Sequence, residues 1–145
     1  MLRIDGATAA RMRTLAEAGY PHEACGLLVG RAEDGGKSRL VLEVHPARNL
    51  DLERSADRYD LDPADYRQIE RDASLRGLAI VGVYHSHPDH PSAPSETDRA
   101  RAAEIWGDFE SWSYVILEVA QGRTASWRSW ILRAGAFAEE EVRAG

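Results

Sequence analysis

Three residues able to hold a metal ion converge in one stretch, Val81-Gly82-Val83-Tyr84-His85-Ser86-His87-Pro88, a short polar loop, and Ser95-Glu96-Thr97-Asp98. Two imidazoles and a carboxylate are three of the four ligands that zinc takes. A site with three protein ligands leaves the fourth position to water, which is the catalytic arrangement. Zinc lowers the pKa of such a water to about 7 and so makes a nucleophile at neutral pH. Hydrolysis also needs a group that takes the water's proton and passes it to the leaving amine. Glu23, in Tyr20-Pro21-His22-Glu23, stands at the mouth of an apolar run and is the candidate; its alternative is an exposed turn residue.

Ser95 and Asp98 also fit a capping box, with Ser95 as N-cap and an acidic residue three positions on. A capping Asp98 folds back on the helix start, whereas a ligand Asp98 points at His85 and His87. Ser95 has a second role open to it, donating a hydrogen bond to the oxyanion that forms when water attacks a carbonyl. His90 in His87-Pro88-Asp89-His90 lies near enough to be a fourth ligand, but it would close the site, and its place is the solvated loop. His22 and His45 read as surface residues. Cys25, inside an apolar strand, reads as an inert core thiol rather than a nucleophile.

The elements that must position these groups follow from periodicity and punctuation. Residues 79–84 are an apolar, β-branched run, so they form a buried strand whose end carries His85 and His87 on one side. Pro88 is expected to stop the strand and to leave both imidazoles at the sheet's edge. Residues 7–19 are an amphipathic helix with Met12, Leu15 and Ala16 on one face, closed by Gly19. Residues 24–30 form a strand, Asp34-Gly35-Gly36 a hairpin turn, and residues 38–45 the returning strand. Residues 46–57 read as a surface loop, and Tyr59-Asp60-Leu61 as a short strand. Asp62 caps a second helix with Pro63 at its first position, running to about Leu75. Residues 95–106 are a third helix, 112–119 and 125–132 two strands around Gln121-Gly122, and 136–143 a last short helix. Trp106, Trp112, Trp127 and Trp130 are expected to fill the core between the third helix and the last strands.

The 145 residues suit one domain with a normal core. The fold class is α/β, a mixed β-sheet flanked by α-helices and spanning residues 1–145 as a single domain. A net charge of −6 argues against nonspecific binding to nucleic acid or to an anionic membrane. No apolar run approaches the roughly 20 residues of a membrane span. Met1 to Asp5 lacks the apolar core of a signal peptide, and the single cysteine excludes an internal disulfide, so the cytoplasm is the expected address.

Taken together, these residues resemble the JAMM (MPN+, or JAB) metalloprotease family. That family's motif is an upstream glutamate, then His-x-His-Pro, and, seven residues after the second His, Ser-x-x-Asp. His85, His87, the stretch Pro88 to Pro94, Ser95 and Asp98 match it, and Glu23 has the usual Cys25-Gly26 neighbourhood. The resemblance implies His85, His87 and Asp98 as zinc ligands, Glu23 as general base and acid, and Ser95 as the group that steadies the oxyanion. It implies a single MPN/JAB domain that cleaves peptide or isopeptide bonds after the Gly-Gly tail of a ubiquitin-like protein. The compact chain is most similar to the prokaryotic branch that trims a ubiquitin-like sulfur-carrier protein, for example releasing a C-terminal cysteine. A thin Gly-Gly tail would add as a strand at the sheet edge beside the metal strand. Two other readings are a deubiquitinase-like hydrolase of other conjugates and a catalytically inactive scaffold of the same fold.

Overall fold

The computed structural model describes residues 1–51, 60–105 and 112–144. The elements run β1 (Leu2–Ile4), α1 (Gly6–Gly19), β2 (Cys25–Glu33), β3 (Ser38–Ala47), α2 (Pro63–Leu75), β4 (Ala79–Pro88), α3 (Glu96–Ile105), β5 (Ser113–Ala120), β6 (Arg123–Arg133), β7 (Ala136–Glu140) and β8 (Val142–Ala144). The strands form one sheet in the order β7-β6-β5-β4-β2-β3-β1-β8. β4 pairs parallel with β5 and antiparallel with β2, so it lies in the middle of the sheet. The mixed sheet with flanking helices is the α/β architecture expected from the sequence.

Helices α1 and α2 each begin where a carboxylate satisfies an orphan backbone donor. Asp5 accepts the Thr8 N–H at 2.7 Å to open α1, and Asp62 accepts the Ala64 N–H at 2.9 Å to open α2 ahead of Pro63. Ala9, Met12 and Ala16 of α1 bury themselves on one face of the sheet against Leu28, Tyr84, Val115 and Leu117. Ala73 of α2 and Ala102 of α3 cover the other face, over Cys25, Leu27, Val83 and Tyr114. Burial of a Leu or Val side chain is worth about 1.5–3 kcal/mol, so these two apolar layers are what hold the central strands rigid. Gly26 shows how tightly β2 fits. A Cβ there would stand 2.4 Å from both the His45 carbonyl oxygen and the Tyr84 ring, so only glycine admits that approach.

The structure departs from the sequence expectations in four places. Residues 136–143 are not a helix. Ala134 and Gly135, both at positive φ, turn the chain back so that β7 pairs with β6, and after Glu141 β8 pairs parallel with β1. The two ends of the strand order, β7 and β8, are thus one residue apart in the chain. The short β1, unrecognised in the sequence, lies between β3 and β8 and supplies the partner for β8.

Pro88 is the last residue of β4, still opposite Val119 of β5, so the strand ends at the proline and not before it. It is tolerated because it lies past the last β2 partner, where Ser86 N–H donates to the Ala24 carbonyl. His85 and His87 therefore stand at the end of a central strand, between β2 and β5, and not on an edge strand of the sheet. The tryptophans also divide: Trp112 and Trp130 pack with the α2 and α3 side, whereas Trp127 packs with the α1 side. Residues 127 and 130 are three apart on a strand, which puts them on opposite faces. Trp106 and Tyr59 lie outside the described residues. Among the described residues, no helix is long and apolar enough to cross a membrane.

Candidate active site

Strand alternation assembles the first three groups of the site. His85 and His87 project from the same face of β4, and Ser86, between them, points away and accepts the Ala24 N–H on its Oγ at 2.8 Å. Cys25 is the register partner of His85, so stepping back two residues on the antiparallel β2 side brings Glu23 level with His87. The result is a buried trio: Glu23, His85 and His87 are 5%, 4% and 7% exposed. One ligand atom from each lies within 4.8 Å of the others. Glu23 is therefore not an exposed turn residue. Asn49, which carries no signal in the sequence, holds its main chain by donating from Nδ2 to the Glu23 carbonyl at 3.1 Å.

The fourth group arrives with α3. Asp98 N–H donates to Ser95 Oγ at 3.0 Å and Ser95 N–H donates to Asp98 Oδ2 at 2.9 Å, the reciprocal pair of a capping box. The same carboxylate faces the imidazoles, with Oδ1 3.2 Å from His85 Nε2 and Oδ2 3.0 Å from His87 Nε2. The two readings of this motif hold together: capping fixes the carboxylate, and its remaining lone pairs point at the histidines. The two Nε2 atoms are 3.1 Å apart. His87 Nδ1 donates to the Pro91 carbonyl at 2.7 Å, which leaves Nε2 as the nitrogen that meets the cluster.

The electrostatics follow from burial and from this crowding. Burial lowers the pKa of His85, against the opposing pull of Asp98. Burial works the same way on His87, but the Asp98 hydrogen bond and charge, the Pro91 carbonyl and the Glu23 charge together raise it. Burial would raise Asp98, yet the charges and hydrogen bonds of His85 and His87, with the Ser95 N–H, hold it far below the usual carboxylate range. A carboxylate kept ionised beside two imidazoles is a donor set for a divalent cation.

Over the cluster lies an open pocket of about 400 Å³, whose lining includes Glu23, His87, His90, Ala93, Ser95 and Thr97. Glu23 and Ser95 thus face one space, one from the entry to β2 and the other from the start of α3. His90 is exposed on the pocket wall and is no member of the ligand-atom cluster. His22 is exposed, and His45 is half-buried against Glu43 at 2.8 Å. Burial pushes the Cys25 thiol up to about 12, with the charges of Glu23, Asp60 and Asp65 adding to it, so the group is no thiolate nucleophile at neutral pH.

Fold and site together define an α/β domain that presents a histidine pair and two carboxylates at the end of its central strand, beneath an open pocket. The family described as prokaryotic homologs of the JAB domain matches residues 6–132, and the chain belongs to it. A protein named desampylase from Haloferax volcanii is 39% identical over 83 residues, 57% of this chain and 56% of that one. A second desampylase, from Pyrococcus furiosus, is 30% identical over 99 residues, 62% of this chain and 65% of that one. The matched stretch spans less than two thirds of either relative's length. A solution structure of a Desulfitobacterium hafniense protein superposes with a TM-score of 0.83 at 28% identity, covering 100% of this chain and 93% of that one.

Proposed function

We propose that the chain is a zinc-dependent metallopeptidase of the JAMM type, with His85, His87 and Asp98 as metal ligands. The observation that carries the reading is the convergence of His85 Nε2, His87 Nε2 and the Asp98 carboxylate at 3.0–3.2 Å. Tetrahedral zinc with ligands at about 2.0–2.1 Å separates them by about 3.3–3.4 Å, so the trio needs only a slight opening to fit. Zinc, when bound, supplies Lewis acidity to a water and to the scissile carbonyl.

The chain's own residues do the rest. Glu23, buried beside His87, takes the proton of the attacking water on its carboxylate and returns it to the leaving nitrogen. Ser95 Oγ already accepts the Asp98 N–H, and its own O–H remains to donate into the pocket, where a carbonyl oxygen gains charge. Burial of Glu23 and His87 strengthens the electrostatic interaction between them.

The substrate class proposed is a ubiquitin-like protein with a Gly-Gly tail, of the sulfur-carrier kind, from which a C-terminal residue such as cysteine is released. Two relatives named desampylase support a ubiquitin-like substrate. Glycine suits a cleft that runs down to a buried metal cluster, because it lets the backbone approach closely. The tail enters over the end of β4, beyond its last β2 partner.

The test is zinc content together with hydrolysis of a carrier extended by a C-terminal cysteine, set against ubiquitin chains, for wild type, Glu23→Gln and His87→Ala. The expected result is about one zinc per chain and carrier cleavage in wild type. Glu23→Gln should keep zinc without turnover, and His87→Ala should lose both. Cleavage of ubiquitin chains instead would move the substrate to the deubiquitinase-like class. Wild type without zinc would leave an inactive scaffold.

A further inference from the structure

His87 takes its ring orientation from the loop that follows it. Its Nδ1–H donates to the Pro91 carbonyl, and that carbonyl lies in the peptide plane shared with Ser92. Proline has no N–H with which to be tethered, so the direction of this carbonyl depends on what holds Ser92. Ser92 is fully buried although it sits in a surface loop. Its Oγ stands 3.0 Å from Ser126 Oγ, and its carbonyl accepts the Trp130 Nε1–H at 3.1 Å. Ser126 and Trp130 are four residues apart on β6 and so project from one face, as two pegs that grip one loop residue. Trp130 is steadied in turn by Arg128, whose guanidinium lies 5.8 Å from its ring centroid and 3.7 Å from Glu139 of β7.

We infer that Trp130 and Ser126 are positioning residues for His87. By holding Ser92 they aim the Pro91 carbonyl at Nδ1, which keeps a proton there and presents Nε2 to His85 and Asp98. A partner of this kind, hydrogen-bonded to the far nitrogen of a ligand histidine, fixes ring orientation and raises ligand basicity, and its loss weakens metal binding by 10–100-fold in other sites. Neither residue touches the reacting atoms; both act through Pro91. The inference rests on the proposed metal site for its effect on affinity, but not for the hydrogen bond itself.

The test uses the whole chain, metal-free and titrated with zinc alone, as wild type, Trp130→Phe, Ser126→Ala and Trp127→Phe. Zinc affinity is read by chelator competition, and exchange of the His87 Nδ1 proton with water by ¹⁵N-edited NMR. Trp130→Phe keeps a ring but loses the N–H; it should weaken zinc by about tenfold and speed proton exchange in both forms. Ser126→Ala should do the same to a smaller extent, and it decides the matter if Trp130→Phe does not fold. Trp127→Phe, on the opposite face of β6, should leave both readouts at wild type. Wild-type affinity and exchange in Trp130→Phe and Ser126→Ala, even with lowered thermal stability, would make these residues ordinary packing and overturn the inference. If wild type takes up no zinc, the metallopeptidase reading fails, and proton exchange in the metal-free chain decides this inference alone.

Discussion

Asp98 and His87 meet through an oxygen that already has a structural duty. Asp98 Oδ2 accepts the Ser95 N–H at 2.9 Å and stands 3.0 Å from His87 Nε2. The start of α3 is thereby tied to the end of β4, and a helix cap becomes the device that aims a ligand carboxylate. Capping and ligation need different lone pairs of one group, so the fold obtains its alignment from local helix chemistry.

This sharing makes Ser95 separable into two roles. Ser95→Ala removes the N-cap and the hydroxyl together, and should cost about 1 kcal/mol of stability along with about 10²-fold in kcat. Ser95→Gly also lacks the hydroxyl but is a better N-cap, so stability should fall by only a few tenths of a kcal/mol with the same loss of kcat. Urea unfolding and steady-state kinetics on the two variants check this. Equal destabilisation with intact turnover would leave Ser95 as a cap alone.

Asn49 reaches across from the segment after β3 to hold the Glu23 carbonyl, while its Oδ1 accepts the N–H groups of Asp51 and Asp60. Asn49→Ala frees the backbone that carries Glu23 but leaves the histidines and Asp98 in place. A misplacement of about 1 Å can cost on the order of 10²-fold in rate. The variant should therefore keep its zinc and lose turnover through kcat. Loss of metal with unchanged kcat per zinc would place Asn49 in another role.

The central features were legible because short-range rules determine them. The Asp62-Pro63 start of α2 and the shared face of His85 and His87 follow from local chemistry and strand alternation. Cap and ligand stand as alternatives for Asp98 in the sequence because nothing local shows that one carboxylate can meet both the Ser95 N–H and the two imidazoles. Residues 136–143 misled because Ala and Glu favour helix, and that weak preference yields to pairing with β6 and β1. The Pro91 carbonyl and Asn49 were invisible because their partners are backbone atoms brought near only by the fold.

Cys25 provides a check on burial around the site. With its thiol pushed up to about 12, chiefly by desolvation, the reactive thiolate is scarce at pH 8. A thiol reagent should label the native chain orders of magnitude more slowly than the guanidinium-unfolded chain, and Cys25→Ala should retain zinc and turnover. Rapid native labelling, or a variant that keeps zinc and its unfolding midpoint yet loses turnover, would return Cys25 to the list of working residues.

Glu140 ties four strands of the sheet together. Its side chain, 3% exposed, pairs with the equally buried Arg39 of β3 at 2.9 Å, and it accepts the hydroxyls of Ser113 on β5 and Ser129 on β6 at 2.6 Å each. Three strands and β7 thus share one carboxylate. Burial opposes its charge, but the hydrogen bonds of Ser113, Ser129 and Arg39 outweigh burial and lower its pKa. A carboxylate depressed in the folded state stabilises fully above its unfolded value of about 4.3, and that contribution is lost as pH falls through the folded value. Glu140→Gln removes the buried charge that the Arg39 guanidinium and the Met1 ammonium both face, and should cost about 3 kcal/mol at pH 7. The gap between wild type and variant in urea midpoints should hold from pH 7 to about 5 and narrow below about 4.3, because only wild type has this charge to lose. A gap that stays constant down to pH 3 would mean that the carboxylate's shape, and not its charge, ties these strands together.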